Sequence, residues 1–142
     1  MVIGQLPYIL IADDDPDDLL IFEETFNLAY SHIRVVSVHD GDEVLAYLRA
    51  REDALPELII LDYNMPRVSG AECLRKLAAA PPYRAIPKVV WTTSHRELEI
   101  EKCLSLGATR VFLKPMDDKE LLRIVVQLAD FLVVDDYFPA GR

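Results

Sequence analysis

The sequence predicts an α/β fold in which five short parallel strands alternate with five helices, doubly wound around one sheet. Three observations predict it. Short apolar runs alternate with longer amphipathic segments, each run stops abruptly on polar or charged residues, and the middle run is apolar throughout. A strand covered on both faces of a parallel sheet has that last character. The length of 142 residues suits one domain, 1–142, with a core over about 7–134 and a tail over 135–142.

The runs follow in order. Tyr8-Ile9-Leu10-Ile11-Ala12 is the first and ends in Asp13-Asp14-Asp15. Arg34-Val35-Val36-Ser37-Val38 is the second, rich in β-branched residues and bounded by His39-Asp40-Gly41. Leu58-Ile59-Ile60-Leu61 ends on Asp62, Lys88-Val89-Val90-Trp91 on Thr92, and Arg110-Val111-Phe112-Leu113 on Lys114-Pro115. Between them, Asp15-Pro16 reads as an N-cap with proline at the first helical position. Asp17 and Asp18 there suit the positive end of the helix dipole, and Leu19, Phe22 and Phe26 continue an apolar stripe. Further helices are predicted over roughly 42–51, 70–80, 96–106 and 117–134, with Gly107 as the left-handed residue that ends the fourth. Five such units give a five-stranded sheet of flavodoxin-like order 2-1-3-4-5.

Composition excludes several functions. A net charge of −9 offers no basic face for nucleic acid. The N-terminus lacks a secretory signal pattern, and no apolar run approaches the roughly 20 residues that span a bilayer. No membrane association is expected, and the expected compartment is the cytoplasm. Cys73 and Cys103 lack metal-type spacing and read as reduced, packed thiols. His32, His39 and His95 are scattered and receive no role.

The polar residues that end the strands carry the chemistry. In an open α/β sheet, ligands bind beyond the carboxyl ends of the strands, at the switch in strand order. The first strand delivers Asp13 and Asp14 there, the third Asp62, the fourth Thr92 and the fifth Lys114. Crowded carboxylates repel unless a cation or proton intervenes, and hard oxygen ligands in an open site suit Mg²⁺. A carboxylate so held can attack phosphorus and form an aspartyl phosphate, with the metal and lysine neutralising the phosphoryl oxygens. Taken singly, each part has an ordinary explanation. The acidic run 13–18 could be a solvated helix start, Asp62 a turn residue before Pro66, Thr92 a cap and Lys114-Pro115 a loop entry. The run lacks the glycine and terminal glutamate of a calcium-binding EF-hand loop. Their order along four strand ends sets the combination apart from chance.

These residues resemble the receiver domain of bacterial response regulators over about 7–134. Ile9-Leu10-Ile11-Ala12-Asp13-Asp14-Asp15 resembles its first strand and acidic pair. Leu61-Asp62-Tyr63-Asn64-Met65-Pro66, followed by Gly70, resembles the phosphorylation-site loop, and Lys114-Pro115 a lysine followed by a cis-proline. The resemblance implies that Asp62 accepts a phosphoryl group from a histidine kinase or phosphotransfer protein. It implies Mg²⁺ as cofactor, held by Asp14, by Asp13 directly or through water, by Asp62 and by the Asn64 backbone carbonyl. Thr92 would hydrogen-bond the phosphoryl oxygen, Lys114 would pair with it, and Asn64 and Ser94 would tune its lifetime. The protein would then be no enzyme in the ordinary sense, catalysing only its own phosphorylation and dephosphorylation.

The family often carries an aromatic switch three residues before the lysine, where Val111 stands here. Strand alternation puts Phe112 on the opposite face. Trp91 offers two readings, an ordinary core residue or a sensor of the change beside Thr92. The predicted last helix carries apolar residues on more than one stripe, from Leu121 to Val134, and Tyr137-Phe138 extend them. That pattern predicts a homodimer through this helix, against the alternative of a tail folded back on its own domain. The connection 78–87 is longer than minimal and, with the chain length, resembles stand-alone receivers that serve phytochrome-type kinases. Two competing readings are a receiver that acts by contact without phosphate and a haloacid-dehalogenase-like phosphatase. The second needs a carboxylate two residues beyond the nucleophile; Asn64 stands two beyond Asp62, while the Asp13–Asp15 pairing uses Asp15 as a helix cap.

Overall fold

In the computed structural model, which describes residues 7–132, each apolar run becomes a strand. These are β1 (Tyr8–Ala12), β2 (Arg34–Val38), β3 (Leu58–Asp62), β4 (Lys88–Thr92) and β5 (Arg110–Leu113). The helices are α1 (Pro16–Ala29), α2 (Gly41–Arg49), α3 (Gly70–Ala79), a short α4 (Pro81–Arg84), α5 (Glu97–Ser105) and α6 (Asp118–Leu128). All strand pairs are parallel and the order is β2-β1-β3-β4-β5, as the alternation predicts.

Alternation within each strand divides the core into two layers. Ile9, Ile11, Ile60, Val89, Trp91 and Phe112 face α1 and α6, where Phe22, Phe26, Leu121 and Val125 meet them. Leu10, Ala12, Leu61 and Val90 face the other way, against Leu48 of α2, Leu74 and Leu77 of α3 and Cys103 of α5. β1, β3 and β4 are buried at every position, so each large side chain contributes roughly 1.5–3 kcal/mol of transfer free energy. Covered on both sides, the sheet leaves its carboxyl rim as the place where polar groups meet water.

Caps fix where several helices begin. Asp15 accepts from the Asp17 amide at 2.9 Å, Asp40 from Glu43 at 2.9 Å, Ser69 from Glu72 at 3.2 Å and Asp117 from Glu120 at 2.8 Å. Gly107, at φ 111°, ends α5 in a backbone conformation that suits glycine.

Three expectations change. The last helix stops at Leu128, not 134, and tightens into a 3₁₀ turn over Ala129–Phe131. The apolar run continues, but the tighter turn lets Leu132 pack with Leu128 against the α1 side of the sheet. The long connection after α3 contains the short helix α4, with prolines in its first turn. The Lys114–Pro115 bond is trans, as are the other described peptide bonds. The tertiary amide before proline favours trans by about 0.5–1 kcal/mol. Val133, Val134, Tyr137, Phe138 and the predicted tail 135–142 lie outside the described residues.

Candidate functional site

β1 is flanked by β2 on one side and β3 on the other, so the chain reverses its winding direction there. Asp13 follows β1 and Asp62 ends β3, which puts two carboxylates at the switch point. Both are almost wholly buried, Asp13 at 0% exposure and Asp62 at 4%, while Asp14 is exposed. One carboxylate oxygen from each of Asp13, Asp14 and Asp62 lies within 4.8 Å of the others. At that separation each like-charged pair costs about 3 kcal/mol at an effective dielectric constant of about 20.

Local bonds aim these groups. Asp13 Oδ1 accepts from the Asp15 amide at 2.9 Å, and Asp62 Oδ1 accepts from the Asn64 amide at 3.2 Å. That leaves the two Oδ2 atoms toward Lys114, whose Nζ is 2.9 Å from Asp13 and 3.4 Å from Asp62. The same ammonium is 2.9 Å from Asp18 in the first turn of α1. It also lies 5.3 Å from the centroid of the Trp91 ring, within cation–π range. Burial and then the negative charge of Asp13 push Asp62 up to about 7, against the smaller opposing pull of Lys114. Burial pulls the Lys114 pKa down, but its bonds to Asp13 and Asp18 and the charges of Asp13 and Asp62 outweigh it and leave it raised.

Thr92 is buried at the end of β4, and its Oγ1 accepts from the Ser94 amide at 3.0 Å. Ser94 accepts from the Arg96 amide and meets Glu99 at 3.3 Å. Trp91 is cross-strand partner to Asp62, and its carbonyl accepts from the Tyr63 amide at 3.1 Å. Its ring is buried edge-on against Phe22, so it is a core residue that also touches the Lys114 ammonium. Phe112 packs on that same α1 face, and Val111 against the opposite core layer, as alternation predicts.

The donor set fits a hard divalent cation. It offers three carboxylates of which two are buried, and Asp13 Oδ2 has no hydrogen-bond partner beyond its ion pair with Lys114. Asp18 stands outside these three carboxylates as a partner of Lys114, a contact that its helix-dipole reading in the sequence does not reveal. Its place in the first turn of a helix that begins at the rim is the signal that could have found it. Asp40, which caps α2, and Arg67, within the loop after Asp62, were missed as well.

The family model described as response regulator receiver domain matches residues 9–126. Response regulator Rcp1 of Synechocystis sp. is 27% identical over 137 residues, which span 94% of this chain and 93% of its own length. The structure of the phosphorylated cyanobacterial phytochrome response regulator RcpA is similar at a TM-score of 0.82 and 29% identity, covering 91% of this chain and 95% of that one. The Mn²⁺-bound form of Rcp1 is similar at a TM-score of 0.78 and 28% identity, covering 94% and 99%. Receiver domains are signalling domains that work with histidine kinases or phosphotransfer proteins. With that match over most of its length, the chain belongs to the response regulator receiver domain family of two-component systems.

Proposed function

We infer that this receiver accepts a phosphoryl group on the Asp62 carboxylate. The observation that carries the reading is the meeting of Asp13, Asp14 and Asp62 within 4.8 Å, with the Lys114 ammonium against two of them. A carboxylate oxygen of Asp62 forms the new O–P bond as the donor's bond to phosphorus breaks, and the donor leaves with that electron pair. The donor would be a phosphohistidine on a kinase or phosphotransfer protein. Lys114 would then hold phosphoryl oxygens and Thr92 would donate its hydroxyl to one of them.

Asp13, Asp14, Asp62 and the Asn64 backbone carbonyl would hold Mg²⁺, which when bound neutralises charge on the phosphoryl oxygens. The Mn²⁺-bound form of Rcp1 supports that reading by similarity. Asn64 leaves no carboxylate two residues beyond Asp62 to act as the general acid of a haloacid-dehalogenase-like phosphatase. The buried Asp62, Thr92 and half-buried Lys114 likewise weigh against a receiver that works by contact alone.

The whole of 1–142 reads as one receiver domain acting in the cytoplasm. Two free, buried cysteines fit a reducing compartment, and among the described residues no helix is long and apolar enough to cross a membrane. Onward signalling would pass by protein contact or phosphotransfer. Leu122 and Val126 of α6 are exposed apolar residues, as is Leu113 of the adjoining β5, which supports a homodimer through the last helix. A monomer mass by light scattering at high concentration, with and without phosphodonor, would refute the dimer.

The test of phosphorylation is incubation with acetyl phosphate and Mg²⁺, followed by intact-mass measurement. One added phosphoryl group, removed by hydroxylamine and absent from Asp62→Asn, is the expected result. Labelling that persists in Asp62→Asn would overturn the assignment.

A further inference from the structure

The loop from Tyr63 to Ser69 must present both the Asp62 carboxylate and the Asn64 carbonyl, yet few bonds within it fix its shape. Val68 N–H donates to Pro66 at 2.7 Å and Gly70 N–H to Tyr63 at 3.0 Å. Arg67 sits at φ 63°, the left-handed region that an L side chain adopts only at a cost. Glycine would meet that backbone without strain, so the arginine side chain must return something.

Its partner is Asp40, 27 residues earlier. Asp40 is 2% exposed and caps α2, its Oδ1 accepting from the Glu43 amide at 2.9 Å. Its Oδ2 pairs with the Arg67 guanidinium, which also lies 3.7 Å from Asp42. A buried carboxylate needs such a partner, and the capping amide satisfies only one of its oxygens. The backbones also touch here. A Cβ on Gly41 would lie 2.6 Å from the Val68 carbonyl oxygen. The start of α2 and the loop after Asp62 are therefore fastened at two adjacent points.

We propose that Asp40 and Arg67 form a clasp that positions the Asp62–Asn64 loop for metal binding and phosphoryl acceptance. They are positioning residues, since neither is among the proposed ligands. The inference rests on the proposed role of Asp62, and it makes the start of α2 part of the site's support. The ion pair is between a buried acceptor and an exposed donor, so removing the guanidinium leaves the carboxylate without its counter-charge.

The test uses the full chain and three variants. Arg67→Gly fits the backbone but loses the guanidinium, Asp40→Asn keeps a cap acceptor but loses the charge, and Arg67→Lys keeps the charge. Mg²⁺ affinity is titrated by fluorescence of Trp91, the one tryptophan, and amide hydrogen exchange is followed over 63–70. Arg67→Gly and Asp40→Asn should weaken Mg²⁺ binding about tenfold and speed exchange in the loop, with Arg67→Lys within about threefold of the parent. Relief of the left-handed backbone offsets only part of the lost pair in Arg67→Gly, so its melting temperature should fall as well; a merely structural role would lower the melting temperature without moving Mg²⁺ affinity or loop exchange. Parent-like Mg²⁺ affinity and loop exchange in both Arg67→Gly and Asp40→Asn would overturn the clasp. If the parent takes no phosphoryl group from acetyl phosphate, the proposed function fails by itself, and exchange over 63–70 still decides whether the clasp exists.

Discussion

The ammonium of Lys114 lies closer to Asp18, at 2.9 Å, than to Asp62, at 3.4 Å. Asp18 therefore competes with the proposed phosphoacceptor for the cation that should neutralise phosphoryl charge. Asp18 is partly exposed, so the competition is screened and modest. Asp18→Asn should free Lys114 and raise the rate of labelling by acetyl phosphate, by up to about fivefold at low ionic strength. The gain should shrink as salt is added. Labelling rates followed by intact mass over a salt series check this, and a slower variant would contradict it.

The raised pKa of Asp62 makes stability depend on pH and on metal. The unfolded chain gives up this proton near 3.9 and the folded chain holds it to about 7. In this range the folded state binds more protons, so this group's contribution falls as pH rises from about 4 to about 7 and stays low above. The penalty at neutral pH is at most on the order of 4 kcal/mol. Without divalent cation near pH 8, Asp62→Asn should melt several degrees higher than the parent. Adding Mg²⁺ should raise the melting temperature of the parent more than that of Asp62→Asn. Equal melting temperatures without metal would show that Asp62 carries no such burden.

Two glycines separate fold from site. A Cβ on Gly70 would lie 2.5 Å from the Asp62 carbonyl oxygen and 2.9 Å from the Tyr63 Cα. Both are backbone atoms, so Gly70→Ala must displace the loop that follows Asp62. Gly107 has open space around it but a φ of 111°. Gly107→Ala should cost about 1 kcal/mol of stability and leave labelling unchanged. Gly70→Ala should slow labelling tenfold or more, on the order of what a displaced reacting group loses. Thermal melts beside labelling rates distinguish the two, and equal labelling would refute the close-contact argument.

Much of this was legible because strand ends announce themselves. Apolar runs that stop on Asp13, Asp62, Thr92 and Lys114 marked the sheet and its polar rim, where Lys114 meets Asp13 and Asp62. The Lys114–Asp18 and Asp40–Arg67 pairs were not legible in the same way. They join residues 96 and 27 positions apart, and only packing decides which charges meet. Arg67 gave no glycine signal for its left-handed backbone. The sequence places no glycine or proline between Leu128 and Pro139 to mark the end of α6, and the stop comes from Leu132 turning into the core.

The central claim is that Asp62 carries the phosphoryl group. After incubation with acetyl phosphate and Mg²⁺, borohydride reduces an aspartyl phosphate to homoserine, whose position peptide mass mapping reads. Homoserine at position 62 alone, absent without Mg²⁺ or phosphodonor, is the predicted result. Homoserine at Asp13, Asp14 or another carboxylate, or none at 62 in a protein that has taken up phosphate, would contradict the account.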